Sequence, residues 1–473
     1  MQTDRSDVVV IGGGPGGYAA AFRAADLGKS VTIVDPEIIL GGSCLLRGCI
    51  PSKALISAAE LAEQIRGAGA IGIETGPVAV HMDRLSRWRA GIIQQIGKGL
   101  GELAKRRNVR WIRGRASFTS AQQILVQAEN GSNSALEFGH AIIATGARPW
   151  FPGGLEPDGT LVLSSTEALE LTELPARLLV IGGGYIGLEL GSCYRMLGSS
   201  VTIVELTAGL LPGTDPELVR PVARKLEASG VRVLLQAQVK SFERNDGAVH
   251  VAIQDASGAT SVETYDRVLV SVGRVPNTDR LGLDQAGVTR PERGFIPCDD
   301  QGRTNQPTIF AIGDCSPGPL LAHKARRDGI VAAEAIAEMP SRRNQKAVPA
   351  VVFCDPEIAT CGLSEAEAAA GGREVSVGRF PFAALGRAIT QRKAEGMVKV
   401  IADRATGQIV GAGIVGPGAS ELIGEATLAV EMGATVDDLM HTIHAHPTLA
   451  EALPEAAELV RGASIHIYKR PRA

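Results

Sequence analysis

The chain is poor in aromatics, in unbalanced charge and in long apolar runs, and each shortage excludes something. Phe, Trp and Tyr make up only 4% of 473 residues, so its cores must be built from Ala, Val, Leu and Ile. A formal net charge of −3 gives no sign of the basic excess that nucleic-acid binding favours. No apolar stretch is long enough to span a bilayer. The first residues, MQTDRSD, carry neither an h-region nor an Arg/Ser-rich transit pattern, so a cytoplasmic protein without membrane or nucleic-acid partners is expected. Seven cysteines, an odd number scattered along the chain, do not form a secreted disulfide framework. Cys193, Cys298, Cys315, Cys354 and Cys361 read as small core residues, and no metal site is expected. The chain is too long for one core, so several domains are expected.

Glycine is abundant, with 57 residues, and it is patterned. Residues 8–35 read VVVIGGGPGGYAAAFRAADLGKSVTIVD, and residues 178–205 read LLVIGGGYIGLELGSCYRMLGSSVTIVE. Each copy is an apolar strand, a G-x-G-x-x-G turn, a helix, a second strand and a terminal acid. The glycine sets are Gly12, Gly14, Gly17 and Gly182, Gly184, Gly187. The first of each set makes the turn, the second lets the backbone approach a pyrophosphate, and the third lets helix and strand pack closely. Asp35 and Glu205 each fall 23 residues after the first glycine, where a carboxylate meets ribose hydroxyls. Two dinucleotide sites are therefore predicted. Glu205 repels a 2′-phosphate, and residues 206–212 hold no Arg or Lys to bind one, which favours NAD over NADP at the second.

Directly after the first unit comes GGSCLLRGCIPSK, residues 41–53, with Cys44 and Cys49 five positions apart. Regular helix would separate their Cα atoms by roughly 8–9 Å, and a disulfide wants less than about 7 Å. If the two bond, the backbone must bend between them. Gly48 permits the bend, and Pro51 marks where regular helix can begin. A cysteine pair beside a nucleotide site suggests a reducible catalytic disulfide; two unrelated core thiols are the plain alternative. Near the end, HAHPTLAE places His446 five residues before Glu451. A histidine can take a thiol proton at neutral pH, and a carboxylate behind it fixes its tautomer. The alternative is a His-Pro turn without a chemical role. His444 reads as structural.

These motifs resemble the pyridine nucleotide–disulfide oxidoreductases, and the resemblance runs over nearly the whole chain. It implies an α/β fold: two Rossmann-like domains, for FAD and NAD, plus an α+β C-terminal dimerisation domain. The implied division is an FAD domain with the redox disulfide at 1–148, an NAD domain at 149–277, a central FAD-contacting part at 278–346 and an interface domain at 347–473. Long helices are expected from Pro51 towards Gly67 and from about Met82 to Arg107. Residues 342–346 read as a solvated link.

The resemblance assigns FAD to Gly12, Gly14, Gly17, Asp35, Gly42, Ser43, Thr145, Gly146, Asp314 and Ala322, and NAD to Gly182, Gly184, Gly187, Glu205 and Gly273. Asp314, in TNQPTIFAIGD, would hold the flavin's ribityl chain. Cys44 and Cys49 would form the redox disulfide, Lys53 would lie beside the flavin, and Glu189 would pair with Lys53. His446, oriented by Glu451, would serve the other subunit of a homodimer as its base. The peptide before Pro447 is cis in that pattern.

Within the family, the HAHPTLAE ending, Glu205 and LAHKA at 321–325 resemble the branch that oxidises protein-bound dihydrolipoamide with NAD. The implied partner is the lipoyl-bearing acyltransferase of a 2-oxo acid dehydrogenase complex, on a separate chain. Residues 381–388 are similar to branched-chain complex members. Another flavoprotein disulfide reductase and a non-turnover FAD- and NAD-binding protein are the rivals. Ser43, Leu46 and Arg47 depart from the usual GGTCLNVGCIPSK. Arg47, between the cysteines, either lowers a thiol pKa or points to solvent.

Overall fold

The computed structural model describes residues 4–289 and 294–468. The first glycine-rich repeat folds as β1 (Asp4–Ile11), α1 (Pro15–Asp26) and β2 (Val31–Asp35). Every residue of β2 is buried, the signature of a parallel strand covered on both faces. Then come α2 (Gly42–Arg47), α3 (Cys49–Arg66), α4 (Met82–Arg106), β3 (Arg110–Ser120), β4 (Gln123–Ala128) and β5 (Asn133–Ile143). β1 lies parallel between β2 and β5, and β3 extends the sheet beside β2. The outer ends of β3 and β5 join β4 as an antiparallel meander. The strand Ile309–Ala311 returns from far along the chain to pair with β5, so residues 278–346 complete this first sheet.

The second repeat folds the same way: strand Arg177–Ile181, helix Tyr185–Leu197, strand Ser200–Val204. Its five-stranded parallel sheet includes Arg232–Leu234, Arg267–Val270 and Val162–Leu163. The duplication reaches hydrogen bonds. Gly12 N donates to Val34 O at 2.9 Å and Gly182 N to Val204 O at 2.8 Å.

From Ala350 onward a five-stranded antiparallel sheet carries helices Ala419–Met432 and Ala452–Arg461 around a core of Val, Ile, Ala, Leu and Phe side chains, Phe380, Phe382 and Leu385 among them. This sheet is locked to the second unit by Lys399, whose side chain is 1% exposed. Its Nζ lies 2.5 Å from Asp215 and 2.7 Å from Glu365, and also contacts Glu217. Arg379 pairs with Glu217 at 2.7 Å and with Glu365. The three carboxylates, grouped closely enough to suit a cation, thus hold an ammonium and a guanidinium.

Three expectations are corrected. Helix α3 starts at Cys49 rather than Pro51; Pro51 sits in its first turn, where its missing N–H is no loss. Cys298 is half-buried, with Arg343 Nη1 3.4 Å from its Sγ, whereas the other four non-motif cysteines are buried. Arg343, in the supposedly solvated link, turns inward: its side chain is 15% exposed and reaches Asp328 and Ala311 O.

Candidate active site

The two glycine turns fit dinucleotides by the space they leave. A Cβ on Gly12 would lie 2.4 Å from Ala144 O, and one on Gly17 only 1.9 Å from Gly12 O. On Gly14 the nearest atom would be Gly42 Cα at 3.9 Å. The outer glycines are thus demanded by packing and the middle one by open space at an uncapped helix start, where N–H groups await an anion. The second turn repeats this: 2.5 Å from Ser271 O at Gly182, 2.0 Å from Gly182 O at Gly187, nothing within 4 Å at Gly184.

The terminal acids are held alike. Asp35 accepts from Gly13 N and Glu37 N, and Glu205 from Gly183 N and Thr207 N, both at 2.7 Å. Burial pushes the Asp35 carboxyl up despite these donors. Each oxygen retains a lone pair for a ribose hydroxyl.

Other expected FAD residues line up with this first crevice. Thr145 Oγ1 is buried without a partner, and Asp314, in the turn Gly313–Cys315, makes no side-chain hydrogen bond among the described residues. Burial raises its pKa. A buried hydroxyl and a half-buried carboxylate, neither hydrogen-bonded among the described residues, suit a polyhydroxyl chain. Ala322 opens the helix Ala322–Ile336, whose N-terminus has no side-chain cap. Gly42 packs on Gly14, and Ser43 is exposed on the first turn of α2. Gly146 and Gly273 have φ of 68° and 146°, and a Cβ on either would meet nothing within 4 Å.

The cysteines sit on either side of a helix break. Cys44 is in α2 and Cys49 opens α3, with Gly48 between them at φ −145°, ψ −114°. A Cβ on Gly48 would lie 2.8 Å from Ser43 O. The pair is present as two thiols. A hydrogen bond with Cys44 brings Cys49 down to about 7, aided by Lys53 and opposed by burial; the same hydrogen bond, with burial, drives Cys44 up. The helix N-terminus favours this direction at Cys49.

Helix α3 packs on Tyr185–Leu197 through Leu55, Ile56 and Ala59, and this brings Lys53 to Glu189. Lys53 Nζ is 2.8 Å from Glu189 Oε2 and 4.3 Å from the centre of the Phe353 ring. Phe353 N donates to Glu189 Oε1 at 3.0 Å. The sequence offered no signal for Phe353. Arg47 pairs with Glu37, with its side chain 37% exposed.

His446 Nδ1 is 2.8 Å from Glu451 Oε1, and Glu451 Oε2 accepts from Thr448 N at 2.8 Å. Burial pushes Glu451 up, but the Thr448 N–H and His446 outweigh it and hold the carboxyl below its ordinary value. The His446 side chain is 80% exposed, so its Nε2 faces outward, and it forms no hydrogen bond or ion pair with either cysteine of its own chain. His444 is fixed between Thr442 O and Glu425, at 2.9 and 2.7 Å, as a structural residue is. The His446–Pro447 peptide is cis.

Residues 6–329 match the family described as pyridine nucleotide-disulphide oxidoreductase, and residues 348–457 match the dimerisation domain of the same family. The chain belongs to the pyridine nucleotide-disulphide oxidoreductases. Among curated relatives it is 43% identical to the dihydrolipoyl dehydrogenase of Halobacterium salinarum and 45% to that of Geobacillus stearothermophilus, in each case over 98% of both chains. Among solved structures it superposes on LpdA from Mycobacterium tuberculosis with a TM-score of 0.89 at 29% identity, covering 96% of this chain and 99% of that one. The HOCl-induced flavoprotein disulfide reductase RclA from Escherichia coli gives 0.85 at 27%, covering 96% and 100%.

Proposed function

We propose that this chain is an NAD-dependent dihydrolipoyl dehydrogenase. The placement of Cys44 and Cys49 across the Gly48 break, beside the Lys53–Glu189 pair at the join of two dinucleotide folds, carries the reading. A thiolate of dihydrolipoamide attacks Cys44 of the oxidised pair, forming a mixed disulfide and breaking the Cys44–Cys49 bond. Cys49 leaves as thiolate, which its lower pKa favours. The second substrate thiol then closes the lipoamide disulfide and releases Cys44, so two electrons stay on the enzyme. His446 of the partner subunit takes the substrate proton, with Glu451 holding the imidazole. FAD, held by the residues assigned above, supplies the two-electron relay from the dithiol to NAD⁺.

The four-part division of the chain, with boundaries near 148, 277 and 346, belongs to this reading. So do a homodimer, a cytoplasmic location and a lipoyl-bearing acyltransferase partner. Apolar side chains on the C-terminal unit support the dimer: Leu428, Met432 and Ile443 are 62%, 75% and 97% exposed, the last close to His446. The likeness to RclA favours a second reading, reduction of another disulfide. One assay separates the two. Dihydrolipoamide with NAD⁺ should give rapid NADH formation, and NADPH with small disulfides little turnover; the reverse result overturns the proposal.

A further inference from the structure

The helix Ala322–Ile336 crosses α1 so closely that a Cβ on Gly329 would lie 2.3 Å from Gly16 O. Its neighbour Asp328 is 3% exposed. Burying a carboxylate is expensive unless it is paired. Here Oδ2 accepts from Gly313 N at 3.2 Å and lies 3.0 Å from Lys324 Nζ, while Oδ1 lies 3.0 Å from Arg343 Nε. The two cations reach onward. Lys324 donates to Pro317 O at 3.0 Å, and Arg343 Nη2 to Ala311 O at 3.0 Å. One carboxylate thus ties together the end of the strand Ile309–Ala311, the turn Gly313–Cys315, and the chain on both sides of them. Gly313, at φ +66°, is pressed against the helix, where its Cβ would stand 2.9 Å from that of Ala325.

We infer that Asp328 is a positioning residue for the flavin, fixing the Gly313–Asp314 turn and balancing Lys324 and Arg343 so that Asp314 stays turned to the ribityl chain. This rests on the FAD reading of Asp314. Without the Asp328 charge, two buried cations lose their counter-ion. Asp314, which already feels Arg274 and Lys324, becomes an alternative counter-ion and is drawn from its post. The added positive field also favours extra electron density on a nearby flavin.

The test uses holoenzyme. Asp328→Asn keeps the shape and an oxygen for Gly313 N–H but removes the charge. Expected are FAD release at least tenfold faster on dilution, read by flavin fluorescence, and a positive shift of the flavin midpoint potential. Adding Arg343→Gln should return the potential towards wild type, because the charge balance is restored; a merely structural role would not give that return. Unchanged release and potential in Asp328→Asn, or no return in the double variant, overturns the inference. If Asp328→Asn yields no holoenzyme, Arg343→Gln alone decides: a negative shift supports the inference, and no shift sinks it. Asp314→Ala separates the two layers. If it retains FAD like wild type, the flavin reading of Asp314 fails. If it loses FAD while Asp328→Asn does not, only the positioning claim fails.

Discussion

At the scale of single residues, the decisive asymmetry lies between two thiols of the same kind. Both are half-buried, but Cys49 opens a helix and feels the Lys53 cation more strongly, whereas the hydrogen bond between the two holds the proton on Cys44. One proton therefore leaves the reduced pair near neutrality and the other is retained. In reduced enzyme, thiolate absorbance should rise with a single midpoint at about 7, because a lowered pKa places the ionised form above that pH. Lys53→Met removes a stabilising cation, so the midpoint should move upward; a midpoint unmoved by the change would show that Lys53 does not tune the thiol. Cys49→Ser, which loses no phosphate contact, should still hold FAD. It should lose nearly all lipoamide turnover, together with the long-wavelength thiolate-to-flavin absorption expected on two-electron reduction of wild type. Near-normal turnover in this variant would remove the disulfide from the mechanism.

At the scale of elements, the glycines of one motif have different jobs, and the difference can be measured. Gly17→Ala and Gly187→Ala each force a Cβ to within 2.0 Å or less of a backbone oxygen. Overpacking of this kind costs about 1–3 kcal/mol or more, so both variants should melt at clearly lower temperature. Gly14→Ala and Gly184→Ala meet no protein atom closer than 3.9 Å. They should melt nearly as wild type when free of cofactor, while losing affinity for FAD and NAD respectively. Equal melting losses at all four positions would refute the division of labour.

The same contrast explains what could be read from sequence. The glycine sets, the acids 23 residues on, α3, α4 and the His446–Glu451 pair are local patterns with fixed spacing, so they were legible. The Lys53–Glu189 pair was reached through family likeness, since 136 residues separate its members. Arg343 beside Asp328, and Lys399 among Asp215, Glu217 and Glu365, were not legible. Each joins elements distant in the chain, and in sequence each looks like one more solvated charge. Arg47 illustrates the limit: its partner Glu37 is ten residues away, but a loop and not a helix face brings them together.

At the scale of the whole molecule, two joints matter: one between units of a chain, one between chains. The first is the Lys399 network. Lys399→Met would leave Asp215 without its ammonium and Glu217 and Glu365 with Arg379 alone, and breaking a buried pair on one side typically costs about 3–5 kcal/mol. Thermal unfolding should register that loss, and a variant as stable as wild type would make the network dispensable.

The second joint concerns catalysis. Within one chain His446 points outward and touches neither cysteine, although its imidazole is already oriented by Glu451. On the proposed reading, His446 acts on the disulfide of a second copy, and a two-fold interface supplies the reciprocal arrangement. A chain carrying Cys44→Ser and a chain carrying His446→Gln should each be nearly inactive as homodimers. In the mixed dimer, one site combines two defects and the other combines intact cysteines with an intact histidine. Isolated mixed dimers should therefore recover up to about half of wild-type turnover, by simple counting of sites. If each chain used its own histidine, every site in the mixed dimer would retain one defect and turnover would stay at the level of the parents. Properly folded, FAD-loaded mixed dimers without recovery would thus assign His446 to its own subunit and remove the shared site.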